Sequence, residues 1–387
     1  MIDRTIRTRI AAGSKHLLLL GPRQVGKSTL VRSLNPGRVI NLMDETLYLA
    51  YSKDPGRLRR ELLAQPKPGL IVLDEIQRVP ALLNVVQALL DEGVRHRFIL
   101  TGSSARKLKR GQANLLPGRI VLEHLDPLSF WELGAQFDLE KALRIGSLPG
   151  IYLDPTQGLD VLSTYGQVYL REEIQAEALT QNLGAYARFL DLAAEASGQW
   201  INYSKLASDS EIPKETIRRF FSILEDTLVA FRIPPFRPKA SKRRVSQRDR
   251  FLFFDLGVRN ALLGIHRGVL SPTEKGNLFE QWIILQVMTF MRAHKKEWKL
   301  SSYRTDAGAE VDLILDIGSS LWAIECKWGK NVSESETSGL RSFEEVAHKQ
   351  VRKFILFTGE SPQRFSQGET AVPYQQFFQA ILPTAEE

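Results

Sequence analysis

The sequence predicts an α/β protein built in parts: a parallel sheet covered by helices at the N-terminus, a helical middle ending in a winged-helix pattern, and a second α/β unit at the C-terminus. Three observations lead there. Leu17–Leu20 is an apolar run that breaks at Gly21-Pro22 and resumes as a helix after Gly26. From Met1 to about Leu153, short apolar runs alternate with longer helical ones, the rhythm of βαβ units. Near the C-terminus, GAEVDLIL and LWAIECKW flank a turn at Gly318, a hairpin pattern that carries acids on alternate positions.

A chain of 387 residues can bury two or three separate cores. Its 43% apolar and 25% charged content is that of an ordinary globular protein, not of a disordered one. No apolar run approaches the ~20 residues of a membrane span. The charged start MIDRTIRTRI lacks a signal-peptide core, so a cytoplasmic location is expected. The single cysteine, Cys326, excludes an intrachain disulfide and a Cys-rich zinc site. A net charge of +8 leans toward a polyanionic partner.

The first expected strand, His16–Leu20, leads into Gly21, Pro22, Arg23, Gln24, Val25, Gly26, Lys27, Ser28 and Thr29, which fit G-x-x-x-x-G-K-S. Glycines let backbone N–H groups turn inward around a phosphate, and the helix behind them adds its positive end. Lys27 then reaches the β- and γ-phosphates and Ser28 offers a hydroxyl to Mg²⁺, so ATP with Mg²⁺ is the expected cofactor. Further strands are expected at Arg38–Leu42, Leu70–Leu73, Arg97–Thr101 and Arg119–Glu123, with helices such as Pro80–Asp91 between them. The third strand ends in Asp74-Glu75, about 45 residues after the glycine-rich turn, where one acid can hold the Mg²⁺ shell and the next can orient water. The fourth ends in Thr101, Ser103 and Ser104, polar groups suited to a γ-phosphate or water. Arg119, just before the fifth strand, reads either as a finger into a neighbouring subunit's phosphate site or as a surface arginine.

Leu139–Ala178 reads as a small helical lid, interrupted by GSLPG at Gly146–Gly150 and by Asp154-Pro155. Beyond it, Tyr203–Asp209 and a helix from Pro213 to about Asp226 flank a short turn, and VAFRI follows as a strand, a winged helix-turn-helix pattern. On that reading Lys214, Arg218 and Arg219 face nucleic acid; a helical packing module is the alternative. The run Arg237–Arg250, which includes Lys242, Arg243 and Arg244, reads as a solvated basic stretch able to contact phosphates.

The C-terminal third carries a separate constellation. Gly276–His294 is expected as an amphipathic helix bearing Glu280. Asp312 and Glu325 fall on adjacent hairpin strands, and Lys327 shares a face with Glu325. Two carboxylates and a lysine on one face can bind Mg²⁺ and activate water against a phosphodiester; exposed strand charges are the alternative. The domain limits expected are 1–138, 139–184, 185–250 and 251–387.

Taken in order, GPRQVGKST, IVLDEIQRVP, FILTGSSA, LPGR, NYSKLASDSEI, RFLFFDLGVRNALLG, GNLFEQWI and GAEVDLIL…IECKW resemble the AAA-type P-loop ATPases with a C-terminal DUF4143 region, over nearly the whole chain. The resemblance implies nucleotide and Mg²⁺ binding by Lys27 and Ser28, a Walker B pair at Asp74 and Glu75, a sensor role for Ser103 and an arginine finger at Arg119. It also implies a PD-(D/E)xK nuclease-like C-terminal fold with Glu280, Asp312, Glu325 and Lys327 on its motif. Three functions fit: a ring-forming, hexameric DNA motor acting on duplex or branched DNA, an ATP-gated DNA nuclease, and a nucleotide switch that docks a protein partner. The first is favoured, because the ATPase core, Arg119 and the basic features all serve it.

Overall fold

A computed structural model of the chain describes residues 2–64, 67–104, 118–166, 183–238 and 245–385. The N-terminal strands β1 (His16–Leu20), β2 (Arg38–Asn41), β3 (Leu70–Asp74), β4 (Arg97–Gly102) and β5 (Ile120–His124) form one parallel sheet in the order β2-β3-β4-β1-β5. Their near-continuous apolar runs are those of strands buried on both faces. Alternate residues serve two cores: Leu17, Leu19, Val72 and Ile99 pack with the middle of the chain, and Leu18, Leu20, Ile71 and Leu73 pack with the Ala81–Asp91 helix. At about 1.5–3 kcal/mol for each leucine or isoleucine buried, these two layers fix the sheet. The strand order decides the chemistry: β4 lies between β1 and β3, so its polar tip is wedged between the glycine-rich turn and Asp74.

Helices Leu139–Ile145, Pro149–Tyr152 and Pro155–Thr164 follow, within the stretch expected to form a lid. The next unit runs helix (Leu183–Glu195), extended segment, helix (Tyr203–Ser210), helix (Lys214–Asp226), then the antiparallel hairpin β6 (Ala230–Ile233) and β7 (Arg250–Phe253). Gly198 and Ile201 donate backbone N–H groups to Phe251 and Asp249, so the extended segment adds an edge to the hairpin. This is the element order of a winged helix. Phe221 is its anchor, with ring centroids 5.0 Å from Phe189 and 4.6 Å from Phe251.

The C-terminal unit begins at Ser271, whose side chain and Glu274 form a capping box ahead of the Pro272–His294 helix. It is not an amphipathic surface helix. Leu278, Phe279, Trp282, Ile283, Ile284, Leu285 and Val287 are all buried, which occupies nearly its whole circumference. Strands β8 (Lys299–Arg304), β9 (Glu310–Asp316), β10 (Leu321–Lys327), β11 (Val351–Phe357), β12 (Gln363–Arg364) and β13 (Thr370–Pro373) make a mixed sheet in the order β12-β13-β11-β10-β9-β8. The expected limit at 250/251 cuts through β7 after its first residue, separating the rest of that strand from its hairpin partner β6. The described ends of the β6–β7 connection bond to β8: Phe236 N–H donates to Ser302 O at 2.7 Å and Ser246 N–H to Arg304 O at 2.8 Å.

Candidate functional site

Gly26 takes φ +96°, the left-handed conformation that turns the loop into the Lys27–Arg32 helix. Lys27 is buried; its Nζ donates to the carbonyls of Gly21 at 2.8 Å and Pro22 at 3.0 Å and lies 3.8 Å from Glu75 Oε1. Thr101 joins the two acids: its hydroxyl donates to Asp74 Oδ1 and accepts from the Glu75 N–H at 3.0 Å. Ser103 Oγ donates to Glu75 Oε2 at 3.1 Å, and the Gln77 amide donates to that same carboxylate and to Ser103 Oγ at 2.9 Å. The strand order thus brings Lys27, Asp74, Glu75 and Ser103 together, as the motifs predict.

A cleft of about 460 Å³ opens here, lined by Arg23, Gln24, Lys27, Ser28, Glu75 and the lid residues Pro149, Gly150 and Val161. A second, mostly apolar cleft of about 300 Å³ shares Gly26, Thr29 and Pro149 with it and adds Ile2, Leu30, Leu128 and Leu153. Arg4 ties the N-terminal segment to the loop by donating to Val25 O at 2.7 Å and Asp126 O at 2.6 Å.

The C-terminal carboxylates also meet. The β9–β10 register puts Glu325 next to the pair Ile324 and Leu313, opposite Asp312. Asp312 Oδ2 accepts the Cys326 N–H at 2.8 Å, and Lys327 Nζ donates to Glu325 Oε1 at 2.9 Å. Glu280 comes in from the Pro272–His294 helix, but paired with Arg250, which is only 2% exposed. Burial pushes Asp312 well above its ordinary value, and the Glu280 and Glu325 charges add to this against Arg250. Burial likewise pushes Glu325 up to about 7, against the pull of Lys327. Among the described residues, no group of three His, Cys, Asp or Glu side chains is arranged to hold a metal ion. The four expected residues converge, and Arg250, expected at the end of a solvated basic run, is instead buried among them.

Residues 13–134 match the model of the AAA domain, residues 136–268 a domain of unknown function (DUF8612), and residues 275–377 the domain of unknown function DUF4143. The chain carries an AAA domain followed by a DUF4143 region. An uncharacterized protein of Mycobacterium tuberculosis is 27% identical, covering 93% of this chain and 80% of its own length. An uncharacterized protein of Methanocaldococcus jannaschii is 26% identical, covering 85% and 78%. A signal transduction ATPase with a tetratricopeptide repeat sensor from Pyrococcus horikoshii aligns at 14% identity and a TM-score of 0.24, covering 76% of this chain and 47% of that one.

In the AAA domain Arg119 lies in the turn just before β5, at the sheet edge opposite the glycine-rich turn, half-exposed and paired with Asp91. Arg218 is exposed, donates to Glu215 at 2.9 Å and lies over the Tyr203 ring; Lys214 and Arg219 are exposed on the same helix. Lys242, Arg243 and Arg244 lie outside the described residues. No helix among the described residues is long and apolar enough to cross a membrane.

Motif reading missed Gln77 and a clamp on the lid. Asp255 caps the Leu256–Leu262 helix and accepts the Ser147 N–H at 2.8 Å, while Asn260 Nδ2 donates to Leu143 O and Arg144 O, both at 2.9 Å. A Cβ on Gly257 would lie 2.0 Å from Ile145 O. The stretch FDLGVRN therefore grips GSLPG, whose Pro149 and Gly150 line the cleft. Burial pushes Asp255 up to about 6.

Proposed function

We propose that the protein is a Mg²⁺-dependent ATPase that works as a homo-oligomeric ring, hexameric in the simplest arrangement, and drives movement on or remodelling of duplex or branched DNA. The observation that carries the ATPase reading is the linked cluster of Lys27, Asp74, Glu75, Thr101 and Ser103 at one cleft, which Lys27 and Glu75 line and the lid residues border. Backbone N–H groups of residues 23–29 and the Lys27 side chain would take the phosphates, and the adjoining apolar cleft suits an adenine base. Ser28 and Asp74 would hold Mg²⁺, which neutralises phosphate charge when bound. Glu75 orients water, and Ser103 and Gln77 hold its carboxylate in place. The winged-helix order and the exposed Lys214, Arg218 and Arg219 support DNA as the partner.

Nucleotide titration and turnover test the core of this reading. Lys27→Ala should lose nucleotide binding. Glu75→Gln should keep it and slow turnover by about 10²-fold or more, the usual worth of a positioned base. Equal ATP affinity in wild type and Lys27→Ala would remove the assignment.

A further inference from the structure

We propose that Arg250 stands where a divalent cation would otherwise sit between Glu280, Asp312 and Glu325, so that this cluster latches the winged-helix unit to the DUF4143 unit and does not hydrolyse phosphodiesters. The inference is independent of the ATPase reading. Arg250 belongs to β7, yet its side chain crosses into the C-terminal unit. There it pairs with Glu280, donates to the Asp312 carbonyl at 3.0 Å and, on its own side, to Gly198 O through Nε at 3.0 Å. Its guanidinium carbon lies 4.6 Å from the Trp200 ring centroid, and Arg304 covers that ring at 4.8 Å. A planar fork with its donors shared among fixed acceptors is held in one geometry, unlike a snorkelling surface arginine.

One oxygen of each carboxylate already faces a protein donor. Asp312 Oδ2 takes the Cys326 N–H, Glu325 Oε1 takes Lys327, and Glu280 takes Arg250. Glu325 Oε2 and Glu280 Oε1 are both buried without a hydrogen-bond partner, and Glu280 Oε1 faces the Arg250 guanidinium. One open oxygen and a second already held against a guanidinium fall short of the near-octahedral oxygen shell Mg²⁺ demands. A divalent ion entering here would also meet a buried guanidinium at close range, a repulsion that low-dielectric surroundings amplify. Two units that meet at a buried ion pair are joined specifically, since breaking either partner strands the other charge.

The test uses full-length, nucleotide-free protein. Mn²⁺ uptake is followed by the loss of the free-ion electron paramagnetic resonance signal, and nicking of supercoiled plasmid is followed with Mg²⁺ or Mn²⁺. Wild type should show no uptake that Asp312→Asn removes, and no nicking. Arg250→Ala should gain a Mn²⁺ site that the Arg250→Ala/Asp312→Asn double variant lacks. Should Arg250→Ala fail to fold, Glu280→Gln carries the test in urea denaturation: it should be less stable than wild type by the same margin with and without Mn²⁺. Asp312-dependent uptake or metal-dependent nicking by wild type would overturn the proposal. So would a folded Arg250→Ala protein with no Mn²⁺ site, or a Glu280→Gln protein as stable as wild type.

Discussion

Gln77 donates its side-chain amide to both Glu75 and Ser103, yet it does not line the nucleotide cleft. Its effect on catalysis must therefore pass through Glu75. Gln77→Leu should lower kcat by about 10- to 100-fold, the scale of a catalytic group displaced by an ångström, and leave the KM for ATP nearly unchanged. A KM that rises in step with the loss of kcat would argue for a role in binding. Asp255 offers a pH test. Its folded value, about 6 against 3.8 for the free side chain, means the folded state holds its proton more tightly. Stability is then greatest below the lower value and falls as pH rises through about 6, by about 3 kcal/mol in all. Asp255→Asn, neutral throughout, should lack that decline between pH 4 and 7 in denaturant titrations; parallel profiles would show that Asp255 does not titrate in this window. Lys27, Ser28, Asp74 and Glu75 were legible in the sequence because their roles are set by local spacing after a strand. Asp255 was not, because its Ser147 partner is 108 positions away and capping motifs carry no mark of their distant contacts.

Among the elements, the Lys214–Asp226 helix makes the sharpest case. Ile217, Phe220, Phe221, Ile223 and Leu224 bury one face, which leaves Lys214, Glu215, Arg218, Arg219 and Ser222 on the other. If this face meets DNA phosphates, alanine at Lys214, Arg218 and Arg219 should reduce the slope of log affinity against log salt by up to about 3, near 0.9 per lost contact. Glu215→Ala should do the reverse, tightening binding, because it releases Arg218 from its ion pair and removes a like charge from the phosphate. Salt slopes unchanged by the triple variant would make the helix a packing element only. The two helices and their turn were readable from periodicity and Pro213. The hairpin behind them was not, because 16 residues separate β6 from β7 and no tight-turn signal marks the pairing. That is also why Arg250, the first residue of β7, was read as part of a solvated run although it is buried.

At the scale of the whole molecule, the parallel sheet separates Arg119 from the nucleotide site of its own chain. The glycine-rich turn follows the C-terminal end of β1, whereas Arg119 precedes the N-terminal end of its neighbour β5. Five residues of strand put about 17 Å between the two edges, beyond the reach of an arginine side chain. Any catalytic role for Arg119 is therefore exerted on an adjacent subunit, with the half-exposed guanidinium leaving Asp91 for phosphate. Arg119→Ala should lose about 10³-fold in turnover while keeping nucleotide affinity. If Arg119 acts on a neighbouring subunit, wild-type turnover per subunit should rise with protein concentration. Mixing supplies the decisive reading. An Arg119→Ala subunit keeps a complete cleft but offers no finger, and a Glu75→Gln subunit keeps the finger but cannot turn ATP over. Where the second abuts the first, one working site is restored, so activity should peak at intermediate ratios although each protein alone is nearly inactive. Activity that never exceeds the weighted sum of the two proteins would assign Arg119 to its pairing with Asp91, and normal turnover by Arg119→Ala alone would do so directly.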